Sequence, residues 1–119
     1  MTYDGQSKTN QNKYQNFDLE YIRNRWDNRA ERWENDLNDP NSHLNRCGSY
    51  KKFYKIFDKI VARIPNTSEQ VLIDMGCGTG SVLARYSKNF RLIYGVDISN
   101  NMLKKASEKM LKNVKLVQD

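Results

Sequence analysis

The chain of 119 residues is long enough for one domain at most. Its net charge is +6, with +2 in residues 1–69 (12 basic and 10 acidic side chains) and +4 in residues 70–119 (8 basic and 4 acidic side chains). Because this positive charge is dispersed along the chain, nucleic-acid binding is possible but not favoured. The two cysteines are too few for a disulfide framework or a zinc site. The sequence shows neither an apolar signal peptide nor an apolar stretch long enough to cross a membrane. Both observations favour a reducing, cytoplasmic location without membrane insertion.

The N-terminal part of the sequence is polar and then helical. Residues 1–16 are rich in Gln, Asn, Ser and Lys, which predicts a flexible polar tail. Residues 17–65 are interpreted as an N-terminal helical segment, whose first helix runs from Phe17 to Leu37 and ends at Asp39-Pro40. The apolar stripe of this helix is spaced by four, four, three and four residues: Ile22, Trp26, Ala30, Trp33 and Leu37.

A turn-rich connector over residues 41–48 separates this helix from a second amphipathic one. Ser49 is the expected N-cap and Pro65 the expected stop. The apolar stripe comprises Tyr50, Phe53, Tyr54, Phe57, Ile60, Val61 and Ile64. His43 and Cys47 lie four residues apart in the connector, but a pair with no further ligand nearby does not predict a metal site, and no metal is expected.

From residue 66 to residue 119, short apolar strands alternate with helices. The predicted strands are Val71–Ile73, Leu92–Val96 and Val114–Val117, and the predicted helices are Ser81–Asn89 and Asn100–Lys112. The second helix has an apolar stripe of Met102, Leu103, Ala106 and Met110. This alternation predicts an α/β fold with a Rossmann-like, doubly wound parallel sheet, here partial and in strand order 3-2-1, preceded by the two amphipathic helices.

The chemically informative residues follow the ends of these strands. The first strand runs into Asp74-Met75-Gly76-Cys77-Gly78-Thr79-Gly80, and a helix begins at once. Such a loop allows positive φ and close approach of a ligand to the backbone, next to a helix N-terminus. Asp97 and Asp119 end the second and third strands, so three carboxylates are expected at the carboxyl edge of the sheet, where open α/β sheets bind ligands.

With these motifs, residues 70–119 resemble the front half of a class I S-adenosylmethionine-dependent methyltransferase. DMGCGTG is similar to the family's first motif, an acidic residue followed by GxGxG, and GVDISNNMLKKA is similar to the segment after its second strand. VQD is similar to the acidic position after the third strand. The resemblance implies a partial methyltransferase core over residues 66–119, apparently truncated after the third strand, and S-adenosylmethionine as the cofactor.

The resemblance also implies a role for each matching residue. The loop Gly76–Gly80, with Cys77, Gly78 and Thr79, would wrap the methionine portion, and Asp74 would brace the loop and approach the ammonium group. Asp97 would bind the ribose hydroxyls. Ile98 and Met102 would flank the adenine, and Asp119 would approach its exocyclic amine, although Met102 fits the helix core equally well.

Several alternatives stay open at this point. A nicotinamide-binding Rossmann domain also has glycines after its first strand, but its GxGxxG fingerprint requires glycine where this chain has Ser81. Trp26-Asp27-Asn28-Arg29-Ala30-Glu31-Arg32-Trp33 resembles the helix that many small-molecule methyltransferases place over cofactor and substrate, yet core packing is the favoured interpretation of the two Trp.

The acceptor and the catalytic residues are unknown from the sequence. A small molecule is favoured over RNA or protein as the acceptor, because no basic module precedes the core. The region where the family usually keeps catalytic residues would follow Asp119. A different class of hypothesis is a non-catalytic binding module that acts with a C-terminal partner chain or as a dimer.

Overall fold

The computed structural model describes residues 18–119, so the predictions for residues 1–16 and for Phe17 lie outside the described part. The helices are α1 (Leu19–Asp27), α2 (Ala30–Asn38), α3 (His43–Arg46), α4 (Ser49–Val61), α5 (Ser81–Tyr86) and α6 (Asn100–Ser107), with a short 3₁₀ turn at Thr67–Glu69. The strands are β1 (Val71–Met75), β2 (Leu92–Asp97) and β3 (Val114–Gln118). None of the helices within this range combines the length and apolar character needed to cross a bilayer.

The predicted first helix is wrong as a single element, because the structure divides it into α1 and α2 at Asn28-Arg29. Asp18 caps α1 by accepting a hydrogen bond from the Glu20 amide. At the other end, the Asp27 carbonyl accepts a hydrogen bond from the Asn101 side chain, far away in sequence. A tertiary contact therefore holds the chain at the point where the periodic pattern predicts continuous helix.

The predictions for the connector and the second helix also need correction. The connector contains the four-residue helix α3, and the N-cap of α4 is Gly48 in a left-handed conformation (φ 70°), not Ser49. α4 ends at Val61, and the following residues continue in i→i−3 hydrogen bonds before Pro65. Gly48 can hold this positive φ at little steric cost, which lets the helix begin one residue earlier than a serine cap would allow.

The sheet confirms the predicted parallel strands and their order. β2 lies between β1 and β3, and both pairings are parallel. In the register, Leu72 pairs with Ile93, which pairs with Val114, so these three side chains share one face. The carboxyl ends of the three strands consequently meet at one edge, where Asp97 and Asp119 lie.

Helices α4, α5 and α6 pack against the Leu72–Ile93–Val114 face of the sheet, whereas α1 and α2 pack against α6. The core beneath them is apolar and contains Val61, Cys77, Leu83, Tyr86, Phe90, Ile93, Leu103 and Ala106. On the opposite face, Val71, Ile73 and Met75 of β1 and Val117 of β3 are exposed, Met75 by 73%. The described residues thus form a Rossmann-like half-sheet that has one covered face and one bare face.

Helices α5 and α6 are shorter than the sequence predicts. α5 ends at Tyr86 instead of Asn89, and α6 ends at Ser107 instead of Lys112. Met110 adopts a positive φ of 52° and is 85% exposed, so its predicted place on the inward stripe is wrong. The chain turns there and leads back to the sheet, where the Asn113 carbonyl accepts a hydrogen bond from the Ile93 amide. The Asn113 side chain donates hydrogen bonds to the Ser87 and Phe90 carbonyls, between α5 and β2.

Asp58 fixes α4 against α5. The position lies off the apolar stripe of α4, which predicts a solvated side chain, but its carboxylate accepts two hydrogen bonds from Arg85 (2.9 and 2.6 Å) and one from the Tyr86 hydroxyl (2.7 Å). The Arg85 and Tyr86 hydrogen bonds lower the pKa of Asp58 to about 2. Asp58 is therefore a structural contact between the helical segment and the core.

Candidate ligand-binding site

The glycine-rich loop is fastened to the end of β2 through its backbone. The Gly76 and Cys77 amides both donate to the Val96 carbonyl, at 2.8 and 2.9 Å. Gly76, Gly78 and Gly80 have φ angles of 76°, 54° and 85°. Residues other than glycine rarely adopt this backbone conformation. The motif glycines are thus required by the conformation of the loop, as the sequence pattern predicts.

Asp97 joins the loop to the start of α6. One carboxylate oxygen accepts a hydrogen bond from the Gly78 amide and the other from the Ser99 amide, each at 2.8 Å. Ser99 in turn caps α6, accepting a hydrogen bond from the Met102 amide at 3.1 Å. Both oxygens of Asp97 are therefore oriented by backbone donors, and each retains lone-pair capacity for a further donor.

Asp74 lies in β1, one residue before the strand ends. Its Oδ2 atom is buried and has no hydrogen-bond partner among the described residues. Burial raises the pKa of the Asp74 carboxyl above its ordinary value, and the nearby Asp97 carboxylate raises it further. A buried carboxylate oxygen without a donor is costly, so the site favours a ligand that brings a donor or a positive charge.

These residues surround a cavity of about 770 Å³ at the carboxyl edge of the sheet, within the size range typical of ligand sites. Of the ten residues assigned to the site from the sequence, nine line it: Asp74, Gly76, Cys77, Gly78, Thr79, Asp97, Ile98, Met102 and Asp119. The tenth, Gly80, lies beneath the loop, where an added Cβ would be 3.0 Å from the Ala106 Cβ atom. Gly80 therefore serves loop and helix packing.

The sequence of this region matches a family model described as a methyltransferase domain, over residues 72–119. The match covers 48 of the 119 residues, and over these residues the chain is similar to a methyltransferase domain. Two uncharacterized methyltransferases, from Geobacillus thermodenitrificans and Geobacillus kaustophilus, are each 30% identical to the chain over 61 residues. Those residues make up 51% of this chain and 28% of each relative, so the chain spans less than a third of the curated relatives that it matches.

Solved structures share the fold of this partial domain. Magnesium protoporphyrin IX methyltransferase from Synechocystis PCC 6803, solved with bound SAH (S-adenosylhomocysteine), has a TM-score of 0.68 and 23% identity, covering 86% of this chain and 52% of that one. The DhpI–SAH complex has a TM-score of 0.61 and 17% identity, covering 85% and 44%. At these identities the likeness establishes the fold.

The helical segment supplies cavity residues that the sequence did not assign to the site. They are Trp26, Trp33, Ser49, Tyr50, Phe53 and Tyr54, and the core adds Met75, Ser81, Val82 and Val96. Trp26 and Trp33 are half-buried at the cavity wall, in an edge-to-face contact of 5.8 Å, so their interpretation as pure core is corrected. The sequence signal for this position is the Trp26–Trp33 segment, which resembles a helix that covers the cofactor and substrate in many small-molecule methyltransferases.

Polar contacts hold α1 and α2 against α6. The Asp27 carboxylate accepts hydrogen bonds from the Ser99 hydroxyl (2.5 Å) and the Asn101 amide (3.0 Å). Two ion pairs continue the contact, Glu31–Lys105 at 2.5 Å and Glu34–Lys109 at 2.7 Å. These contacts place the tryptophans over the helix that follows Asp97.

No chemistry is assigned to the two cysteines and the histidine. Burial, with smaller contributions from Asp97 and Asp74, raises the pKa of the Cys77 thiol to about 12, so it stays protonated at neutral pH and is no nucleophile. Cys47 and His43 are exposed. Among residues 18–119, no three His, Cys, Asp or Glu side chains are arranged to hold a metal ion.

Proposed function

We propose that the cavity binds S-adenosylmethionine and its product SAH, and that the protein containing this chain is an S-adenosylmethionine-dependent methyltransferase. The observation that carries this proposal is the charge of the cavity lining. Asp74, Asp97 and Asp119 line it, whereas no Lys, Arg or His does so among the described residues. The buried Asp74 Oδ2 atom without a partner lies in the same lining.

This lining suits a cationic ligand better than a dinucleotide. S-adenosylmethionine carries a sulfonium and an ammonium group, which three nearby carboxylates stabilise. A nicotinamide dinucleotide carries a diphosphate instead, which such a lining would repel. The charges therefore favour the methyltransferase cofactor over the rival Rossmann ligand, in agreement with Ser81 at the position where the dinucleotide fingerprint requires glycine.

The residues present can hold such a cofactor along the edge of the sheet. We assign the loop Gly76–Gly80 to its methionine portion, with the free Asp74 oxygen accepting from the ammonium group. Asp97, already oriented by the Gly78 and Ser99 amides, is assigned to the ribose hydroxyls. Ile98 and Met102 are assigned to the adenine ring and Asp119 to its exocyclic amine, since all three line the same cavity.

When bound, S-adenosylmethionine supplies an electrophilic methyl group on a sulfonium. The residues of this chain bind and orient it, while α1, α2 and α4 cover the site. Transfer depends chiefly on placing an acceptor atom in line with the methyl group, and none of the described residues is assigned as catalytic. We propose a small-molecule acceptor, because the aromatic side chains of α2 and α4 form an apolar wall beside the loop Gly76–Gly80. We also propose the cytoplasmic location that the sequence favours.

Calorimetric titration of the chain with SAH and, separately, with NAD tests the cofactor assignment. We expect saturable binding of SAH with a stoichiometry of one and no measurable binding of NAD. Asp36→Ala is a suitable control, because Asp36 lies on α2 in a loose 3.7 Å ion pair with Arg32, and the substitution should leave SAH binding unchanged. Tighter binding of NAD than of SAH would contradict the proposal.

A further inference from the structure

Four aromatic side chains of α2 and α4 form a continuous wall on the cavity. This aromatic wall consists of Trp33, Tyr50, Phe53 and Tyr54, all of which line the cavity. Their ring centroids are 6.5 Å apart for Trp33–Tyr50, 6.3 Å for Tyr50–Tyr54 and 5.2 Å for Phe53–Tyr54. Side chains in mutual contact at these spacings present a broad apolar surface to a ligand.

Tyr54 anchors one end of the aromatic wall to α5. The Tyr54 hydroxyl donates a hydrogen bond of 2.9 Å to Ser81 Oγ, at the start of α5. The Arg85 guanidinium lies 4.6 Å from the centre of the Tyr54 ring and is itself held by Asp58. A surface fixed in this way loses little conformational entropy when a ligand binds.

The electrostatics of the cavity restrict what can bind against this wall. Aromatic ring faces carry partial negative charge and attract cations. The three Asp carboxylates of the lining add to this field, and S-adenosylmethionine, with one carboxylate against two cationic groups, offsets only part of it. A second ligand that carries negative charge would be repelled, whereas one with an aromatic ring and a positive charge is attracted by both features.

We infer that the aromatic wall is the acceptor subsite, and that the acceptor is a small aromatic molecule that is cationic at neutral pH. This inference rests on the proposed function, because it places a methyl acceptor beside the cofactor loop. Tyr50 is half-buried within the wall. Burial raises the pKa of its phenol, so the phenol stays neutral beside the cationic ligand.

Two matched probes test the inference: 2-phenylethylamine, a cation, and 3-phenylpropionate, an anion with the same ring. Trp26 and Trp33 are the two tryptophans of the chain, and both line the cavity, so intrinsic fluorescence reports occupancy. With saturating SAH present, we expect the amine to bind at least about tenfold more tightly than the carboxylate, a difference of about 1.4 kcal/mol. Tyr50→Leu should weaken binding of the amine, while Tyr21→Leu, at a 60% exposed position on α1, should not.

The outcomes separate this inference from the proposed function. If SAH binds and neither probe does, or if both probes bind equally, the acceptor assignment is overturned and the cofactor assignment stands. Normal SAH affinity in Tyr50→Leu shows that the variant is folded, and undiminished amine binding in it would also refute the subsite. If SAH itself fails to bind, the proposed function fails, and selective binding of the amine would then show a cation-selective aromatic site without a cofactor.

Discussion

The Ser99 hydroxyl donates a 2.5 Å hydrogen bond to the Asp27 carboxylate, across 72 residues of sequence. Ser99 is fully buried and also caps α6, directly after the segment that holds Asp97. Asp27 is adjacent to Trp26, which lines the cavity. The pair thus links the helices that cover the site to the residue assigned to the ribose.

Asp27→Ala should loosen this link. The variant loses the acceptor for Ser99 and Asn101, which should lower the free energy of unfolding by about 1–3 kcal/mol, the typical cost of leaving a buried donor unsatisfied. We also expect the tryptophan emission to shift to longer wavelength as Trp26 becomes more hydrated. Asp36→Ala is the control, and an unchanged urea transition and emission spectrum for Asp27→Ala would show that the link has no energetic weight.

Asp97→Ala should abolish the discrimination between SAH and its 2′-deoxy analogue. In the unmodified chain, loss of the ribose hydroxyl should cost about 1.5–3 kcal/mol, since one hydrogen bond to a charged acceptor disappears. The variant also leaves the Gly78 amide without its acceptor. Its affinity for SAH will therefore fall whether Asp97 contacts the ribose or only holds the loop. The informative quantity is the ratio of the two dissociation constants, and a ratio that stays as large in the variant would refute the ribose contact.

Asp74→Asn should stabilise the free chain while it weakens SAH binding. The pKa of Asp74 is raised in the folded state, so the fold disfavours the ionised carboxyl, and this penalty appears as the pH rises through the folded pKa. Removing the charge therefore raises the thermal transition at neutral pH, yet it also removes the partner of the ligand ammonium. Loss of stability together with unchanged SAH affinity would contradict both parts.

The same carboxyl predicts a pH dependence of binding in the unmodified chain. As the pH is lowered from neutral, protonation of Asp74 begins above the ordinary range for an Asp carboxyl and should weaken SAH binding. The Asp74→Asn variant should bind SAH with a flatter pH profile. Calorimetry at several pH values measures the difference, and parallel profiles would assign the dependence to another group.

Gly95→Ala should destabilise the core through overpacking. A Cβ atom at this position of β2 would lie 2.7 Å from Leu83 Cδ1 and 3.0 Å from Cys77 Sγ. Such overpacking typically costs about 1–3 kcal/mol in the free energy of unfolding. In a Leu83→Ala background the added methyl group finds room, so the cost should shrink, and strictly additive effects in urea unfolding would argue against this contact.

The bare face of the sheet should promote self-association of the chain. Ile73 and Met75 are 60% and 73% exposed on β1, which pairs with β2 alone among the described residues. An apolar strand at an open edge is a template for aggregation. We expect the double variant Ile73→Lys, Met75→Lys to sediment closer to a monomer, whereas Met110→Lys, at an isolated 85% exposed position, should leave the sedimentation unchanged.

Ile98 and Met102 were assigned to the site only through the family resemblance. The sequence by itself determined the α/β class, the strand order, the glycine-rich loop and the carboxylates at the strand ends. It could do so because these features depend on local patterns: alternating strands and helices, glycines that need positive φ, and carboxylates at strand ends. Parallel strands bring their carboxyl ends to one edge wherever they occur, so Asp97 and Asp119 were placed without knowledge of any contact.

Only the tertiary structure decided where the helices begin and end and what covers the site. The break between α1 and α2 follows from the contact of Asp27 with Ser99 and Asn101, and the end of α6 follows from the return of Asn113 to the sheet. Helical periodicity identifies an apolar face but not the surface against which it packs. Trp26 and Trp33 therefore read as core in the sequence and lie at a cavity wall in the fold, because contacts between residues distant in sequence set the position of their helices.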